Sequence, residues 1–220
     1  MSAYRNIKKP LCLKSQNGVI SGKIIYPKGI SGLMPIVISC CEDISKCKQM
    51  EKNFGVFFAQ QGIAFYCFEI IQQNMEMSIE TVINYFYRCK QIDIANIFLY
   101  GEGKLGMLLS VLSIEYKERI KGIMLDCPAE CEFLDPTSLA EQDSDSDFLE
   151  YISQYDGPVT MIHNEGRSDS DLSFLNKVLG AYENSTMHII SKYENGIWGL
   201  SGKEMVRRIF VEFIQKNLHK

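Results

Sequence analysis

The chain has 220 residues, of which 46% are apolar, and carries 23 Lys and Arg against 27 Asp and Glu for a net charge of −4. A chain of that length and apolar content can bury a large core as one domain spanning residues 1–220. Its mildly acidic balance, without a clustered basic stripe, argues against nucleic acid as a partner, because phosphate binding draws on grouped Lys and Arg.

The segment Met1 to Pro10 lacks the apolar centre of a signal peptide, and no run approaches the ~18 apolar residues of a membrane span. The expected compartment is the cytoplasm, with no membrane association. Eight cysteines are present. Most sit in apolar, strand-like runs (Cys12, Cys40, Cys67, Cys127), which points to reduced, buried thiols and not to a disulfide frame. Neither Cys127 with Cys131 nor Cys40, Cys41 and Cys47 has the spacing or the histidine of a zinc site, so no metal is expected.

In chain order, Pro10 to Ser15 and Val19 to Tyr26 alternate as strands around Gln16-Asn17-Gly18, a hairpin signal. Pro35 to Cys40 is continuously apolar, as in a strand covered on both faces. A helix is expected from Lys46 to Gln61, with Met50, Phe54, Phe57 and Phe58 at helical spacing and Gly62 as its stop. Ile63 to Glu69 is the next strand. Ile79, Val82, Ile83 and Phe86 fall at i, i+3, i+4 and i+7, one apolar helix face.

At mid-chain a β-rich run ends at Tyr100, and Gly101, Gly103 and Gly106 lead into Met107 to Leu112 with helical character. That reads as strand, tight turn and helix. Lys121 to Asp126 follows as a strand, then an acidic surface loop, Glu141 to Asp147, which lacks the glycine and terminal glutamate of a calcium loop. Pro158 to His163 is a strand, Asp171 to Tyr182 a helix with Leu172, Leu175, Val178 and Leu179 inward, and Thr186 to Ser191 a last strand. Ser201 and Glu204 have capping-box spacing before a C-terminal helix with Met205, Ile209, Phe213 and Ile214 inward. Strands alternating with helices imply an α/β fold with a mostly parallel sheet and an antiparallel hairpin at its start.

The mid-chain turn suits two chemistries. A nucleophile elbow lifts one strained residue above the sheet between flanking glycines. A G-x-G-x-x-G loop instead lays backbone amides against a pyrophosphate, with Asp126 in place for the ribose. The strands ahead of Gly101 are not those of a dinucleotide-binding half, which leaves that reading as the alternative.

The element order and the run Ile97 to Gly106 resemble the α/β-hydrolase fold, in particular the small esterases of the cinnamoyl and feruloyl esterase and dienelactone-hydrolase-like groups. Gly157 to Asn164 is similar to their strand before the acid, and Tyr193 to Trp198 to their histidine loop. The resemblance implies a sheet of about eight strands with helices on both faces. It also implies where a Ser-Asp-His triad would stand, and none of the three is there: the serine position falls on Gly103, the acid on Arg167 and the base on Asn195 or Gly196. Ser39-Cys40-Cys41 occupies the usual oxyanion His-Gly, and Ile70 to Asn74 replaces the Asp- and Gly-rich turn.

Glycine relieves the strain of an elbow once no nucleophile is required. The expectation is therefore a homologue of carboxylic-ester hydrolases without their machinery, needing no cofactor, that binds a small anionic ligand or a protein partner. Ligand-binding candidates are Cys40, Cys41, Gly103, Lys104, Arg167 and Trp198, with the helix following Gly103 supplying amides and a dipole. An active hydrolase using Cys40 or Cys41 is the other enzyme reading; His163 is expected to be a hydrogen-bonded histidine at a strand end.

Overall fold

The structure is a computed structural model that describes residues 4–16, 18–70, 75–126, 144–164, 169–190, 193–194, 197–198 and 200–218. An eight-stranded sheet runs in the order β1-β2-β4-β3-β5-β6-β7-β8. Its strands are β1 (Asn6–Ser15), β2 (Gly18–Pro27), β3 (Met34–Cys41), β4 (Ala64–Glu69), β5 (Ile92–Glu102), β6 (Gly122–Asp126), β7 (Val159–Asn164) and β8 (Ser185–Ile190). β1 and β2 form the antiparallel hairpin, β2 meets β4 antiparallel, and β3 with β4, β6 with β7, and β7 with β8 are parallel. The mostly parallel α/β sheet with its opening hairpin is the architecture that the sequence pattern implies.

Two compact units divide the chain, residues 1–99 with 214–220, and residues 100–213. In the first, β3 and β4 are buried along nearly their whole length, because strands covered on both faces must be apolar throughout. The helical stretch after β3 comprises α1 (Ile44–Met50), a π-helical turn (Glu51–Gly55) and α2 (Val56–Gln60). It begins two residues before Lys46 because Asp43 caps it: Oδ1 accepts from the amides of Ser45 at 2.7 Å and Lys46 at 2.9 Å. It stops at Gly62, whose φ is +86°, with the Ile63 amide reaching back to the Phe58 carbonyl at 3.0 Å. In α3 (Met75–Tyr87), Ile79, Val82, Ile83 and Phe86 are all fully buried, and the Phe86 ring meets Tyr66 edge-on at 5.0 Å between centroids.

Lys23 on β2 reaches Glu51 of the π-turn at 3.0 Å, and the Glu51 side chain is only 8% exposed against 38% for Lys23. A carboxylate that deep needs its cation more than the half-exposed ammonium needs it. Lys23→Met is expected to lower stability by about 2 kcal/mol, read as a shift of the urea midpoint at constant slope. An unchanged midpoint refutes the pair as a stabilising contact.

In the second unit, α4 (Gly103–Glu115) is apolar nearly all round and buried along most of its length. Among the described residues α5 (Ser144–Ile152), α6 (Asp169–Ala181) and α7 (Leu200–Asn217) follow, with 214–217 of α7 counted in the first unit, and β9 (Tyr193–Glu194) pairs with β10 (Ile197–Trp198). Several expectations need correction. Ser144 to Asp147 is not loop but the first turn of α5, since Ser and Asp are favoured where a helix begins; 141–143 lie outside the described residues. Ser201 is inside α7 and not at its cap, and Glu204 pairs forward with Arg208 at 2.7 Å. The buried stripe of α7 is Val206, Phe210 and Ile214, while Met205 is 52% exposed and Ile209 and Phe213 are half-buried. Of the α6 residues, Leu175 and Val178 are buried and Leu172 and Leu179 half-buried. Cys12 is exposed, on the outer strand of the hairpin, while Cys40, Cys41, Cys47 and Cys67 are buried; Cys127 and Cys131 lie outside the described residues. None of the described helices is long and apolar enough to cross a membrane.

Candidate functional site

β5 runs two residues past Tyr100, and α4 starts at once with Gly103, leaving no loop between strand and helix. The three glycines divide the work. A Cβ on Gly101 would lie 2.5 Å from the Gly106 Cα and 2.8 Å from its nitrogen, so these two glycines let the helix back directly onto the strand. Gly103 alone carries the turn, at φ +57°, and a Cβ there would meet nothing within 4 Å among the described residues. This is the geometry of an elbow: a left-handed residue whose side-chain position is clear of every described residue, held by close packing on both sides.

Glu102 takes the N-cap position of α4 in an extended conformation and makes no side-chain cap bond to the helix. Lys104, next in the turn, is half-buried. Within the helix, the Ser110 hydroxyl donates to the Gly106 carbonyl at 3.1 Å, and the Ser113 hydroxyl to Ser110 at 2.6 Å, so both buried hydroxyls satisfy themselves locally. Tyr100 donates its hydroxyl to Asp126 Oδ2 at 3.1 Å, and its ring packs edge-on to Phe210 at 5.2 Å. Asp126, the residue a dinucleotide site would use for ribose, is thus engaged by Tyr100 and only 2% exposed.

The histidines of this unit do not complete a proton relay with Asp126. The β6–β7 register pairs Asp126 with Ile162, so His163 projects from the opposite face. His163 is 2% exposed and is the last residue but one of β7. His188, paired with Ile162 across β8, shares the Asp126 face two strands away, about 10 Å at the usual strand spacing. Burial lowers the His188 pKa, with Glu212 opposing. Of the degenerate triad positions, Gly103 is described, whereas Arg167 and Asn195, with Gly196, lie outside the described residues. Trp198 ends β10, opposite Tyr193.

In the first unit, Cys40 and Cys41 close β3 but point to opposite faces, because Cys40 pairs with Phe68 and Cys41 with Glu69. Burial pushes the Cys40 thiol up to about 12, which opposes its ionisation near neutral pH. Cys41 is raised too, first through its hydrogen bond to Cys47. Cys67, on β4, lies 3.2 Å from Cys41 between sulfurs and is likewise raised by its bonds to Cys41 and Cys47. Cys47 is the member held low, through its side-chain hydrogen bonds with Cys41 and Cys67. Spacing grouped Cys40, Cys41 and Cys47; the structure removes Cys40 and brings in Cys67. Only the strand register carries that information.

No protein-family model matches the chain, and neither does any curated protein sequence. Solved structures do match. DcsB, solved with a substrate analogue, superposes at a TM-score of 0.72 with 13% identity over 96% of this chain and 100% of its own. Est1E from Butyrivibrio proteoclasticus gives 0.69 at 13% identity over 94% of this chain and 99% of its own. Dipeptidyl peptidase 4 of Porphyromonas gingivalis gives 0.72 at 15% identity over 98% of this chain, which spans 36% of the peptidase. Likeness at such low identity is likeness of fold, and the fold is that of the α/β hydrolases.

Proposed function

We propose that this chain, an α/β hydrolase by fold, keeps the elbow of an ester hydrolase without serine catalysis and uses the opening above Gly103 to hold a small anionic ligand. One observation carries the reading: Gly103 has the left-handed φ of +57° of an elbow residue, and no described residue comes within 4 Å of the place where a nucleophile's side chain would begin. Without an oxygen at that point, no acyl intermediate forms there, and a base at Asn195 or an acid at Arg167 is excluded by residue type. The ligand class follows from charge. The first-turn amides of α4 receive no cap from the Glu102 side chain, the helix dipole favours an anion at that end, and Lys104 follows directly. A protein partner presenting a carboxylate would meet the same groups.

The thiol-enzyme reading is opposed by the burial of Cys40 and the hydrogen-bonded state of Cys41. A p-nitrophenyl ester assay is expected to show no turnover above buffer, with or without a thiol-blocking reagent. Turnover abolished by the reagent would instead establish a cysteine hydrolase. The triple change Gly103→Ser, Arg167→Asp and Asn195→His is expected to raise ester hydrolysis to about 100-fold over the buffer rate, the scale of a positioned acid–base group. Calorimetry with acetate and with inorganic phosphate tests the ligand. Binding at millimolar concentration, weakened in Lys104→Ala, supports it; no heat for either anion refutes it.

A further inference from the structure

Cys41, Cys47 and Cys67 have no part in the elbow reading, yet their three sulfurs converge. All lie within 4.8 Å of one another, and the residues are 2%, 2% and 1% exposed. Three sulfurs around one ion at about 2.3 Å each stand roughly 4 Å apart in a trigonal plane, a spacing between the 3.2 Å of the Cys41–Cys67 pair and the 4.8 Å that bounds the cluster.

Three elements build it. The β3–β4 register sets Ser39 against Cys67 and Cys41 against Glu69, and the β2–β4 register sets Lys23 against Cys67. Cys41, Cys67, Ser39 and Lys23 therefore share one sheet face, and α1 brings Cys47 to the two thiols. Cysteines that act only as small apolar residues gain nothing from meeting sulfur to sulfur, since any methyl-sized group fills the same space. A second observation points the same way. The Ser39 hydroxyl, 1% exposed and beside Cys67 on that face, has no hydrogen-bond partner among the described residues. That hydroxyl puts a polar oxygen on the wall of an otherwise sulfur-lined cluster.

We propose that Cys41, Cys47 and Cys67 form a three-thiolate site for a thiophilic d10 metal ion, Cu(I) ahead of Zn(II). An all-sulfur set without histidine or carboxylate selects soft ions. A structural zinc site takes four protein ligands, and the described residues offer three, which favours an ion content with three-fold coordination. Binding displaces the thiol protons to solvent, and Lys23, already drawn to Glu51 at 3.0 Å, stands on the same face as a counter-charge to the excess thiolate.

The test uses the full reduced chain, titrated anaerobically with Cu(I) against a chromophoric Cu(I) chelator, and in parallel with Zn(II). The expected result is one ion retained per chain and a thermal transition that rises when it binds. Affinity is expected to fall by at least about 100-fold in Cys41→Ser, Cys47→Ser and Cys67→Ser, beyond the loss usual for groups behind a ligand, and to stay unchanged in Cys12→Ser and Cys89→Ser. Cys47→Ala, which removes the sulfur from a helix with the best helix former, provides the folded variant if a serine disturbs the core. Zn(II) held more tightly with the same three-cysteine dependence upholds the site and reassigns the ion. Loss of the ion to the chelator, retention by Cys47→Ala as tight as in the parent, or a Cys41–Cys67 disulfide in the freshly isolated chain overturns it.

Discussion

Gly101→Ala is expected to cost about 3 kcal/mol or more, whereas Gly103→Ala, two residues on, is expected to cost about 1 to 2 kcal/mol. At Gly101 the new Cβ collides with backbone, the Gly106 Cα at 2.5 Å, and neither strand nor helix end can yield without separating. For a chain of this length that corresponds to a fall in Tm of roughly 6–12 °C. At Gly103 there is room among the described residues, and the penalty is the left-handed φ alone. The order of the two effects is the informative quantity. If Gly103→Ala were the worse, the opening above the elbow would be filled, and the proposed function would lose its single supporting observation. Thermal unfolding of the two variants side by side decides it.

Stability is expected to collapse at high pH, beginning near 10. Tyr66, Tyr155 and Tyr182 are all raised by burial above the usual tyrosine value, Tyr182 to about 12 with the Ser110 hydroxyl partly offsetting. Two of them donate to carbonyls, Tyr66 to Leu11 and Tyr155 to Ile120, each at 3.1 Å, which an ionised oxygen cannot do. The sign follows from proton counting: above pH 10 the unfolded chain loses these protons and the folded chain keeps them, so each added pH unit favours unfolding. The contribution is intact below 10 and is lost progressively up to 12 and beyond. Three groups together give about 4 kcal/mol per pH unit in that window. Ultraviolet titration is expected to show three of the eleven tyrosines ionising only as the circular dichroism signal disappears. Smooth ionisation of all eleven with the fold intact would contradict the burial of these phenols.

Local signals in the sequence carried much of the fold. The Asn-Gly hairpin, the helix face at Ile79, Val82, Ile83 and Phe86, and the glycine spacing at the elbow each reflect short-range physics, and each appears where expected. What stayed hidden depended on distant parts of the chain. β5 begins at Ile92, ahead of its apolar run, and takes in polar Asp93 and Asn96. The buried face of α7 is turned by one residue, since packing chose Val206 and Phe210 where hydropathy alone also allowed Met205 and Ile209. The meeting of Cys67 with Cys41 and Cys47 needed the register of two strands 26 residues apart. The elbow was legible because its glycines lie close together in the chain; the thiol cluster was not, because its members meet only in the folded structure.

The outermost strand bears on how copies of the chain meet one another. β1 stands at one rim of the sheet, where an unpaired row of amides and carbonyls would invite a strand from another molecule. It carries exposed Lys8, Lys9 and Lys14, and exposed Pro10 has no amide hydrogen to offer. Repulsion between ammonium groups and a gap in the donor row make that rim a poor template for zipping one sheet onto the next.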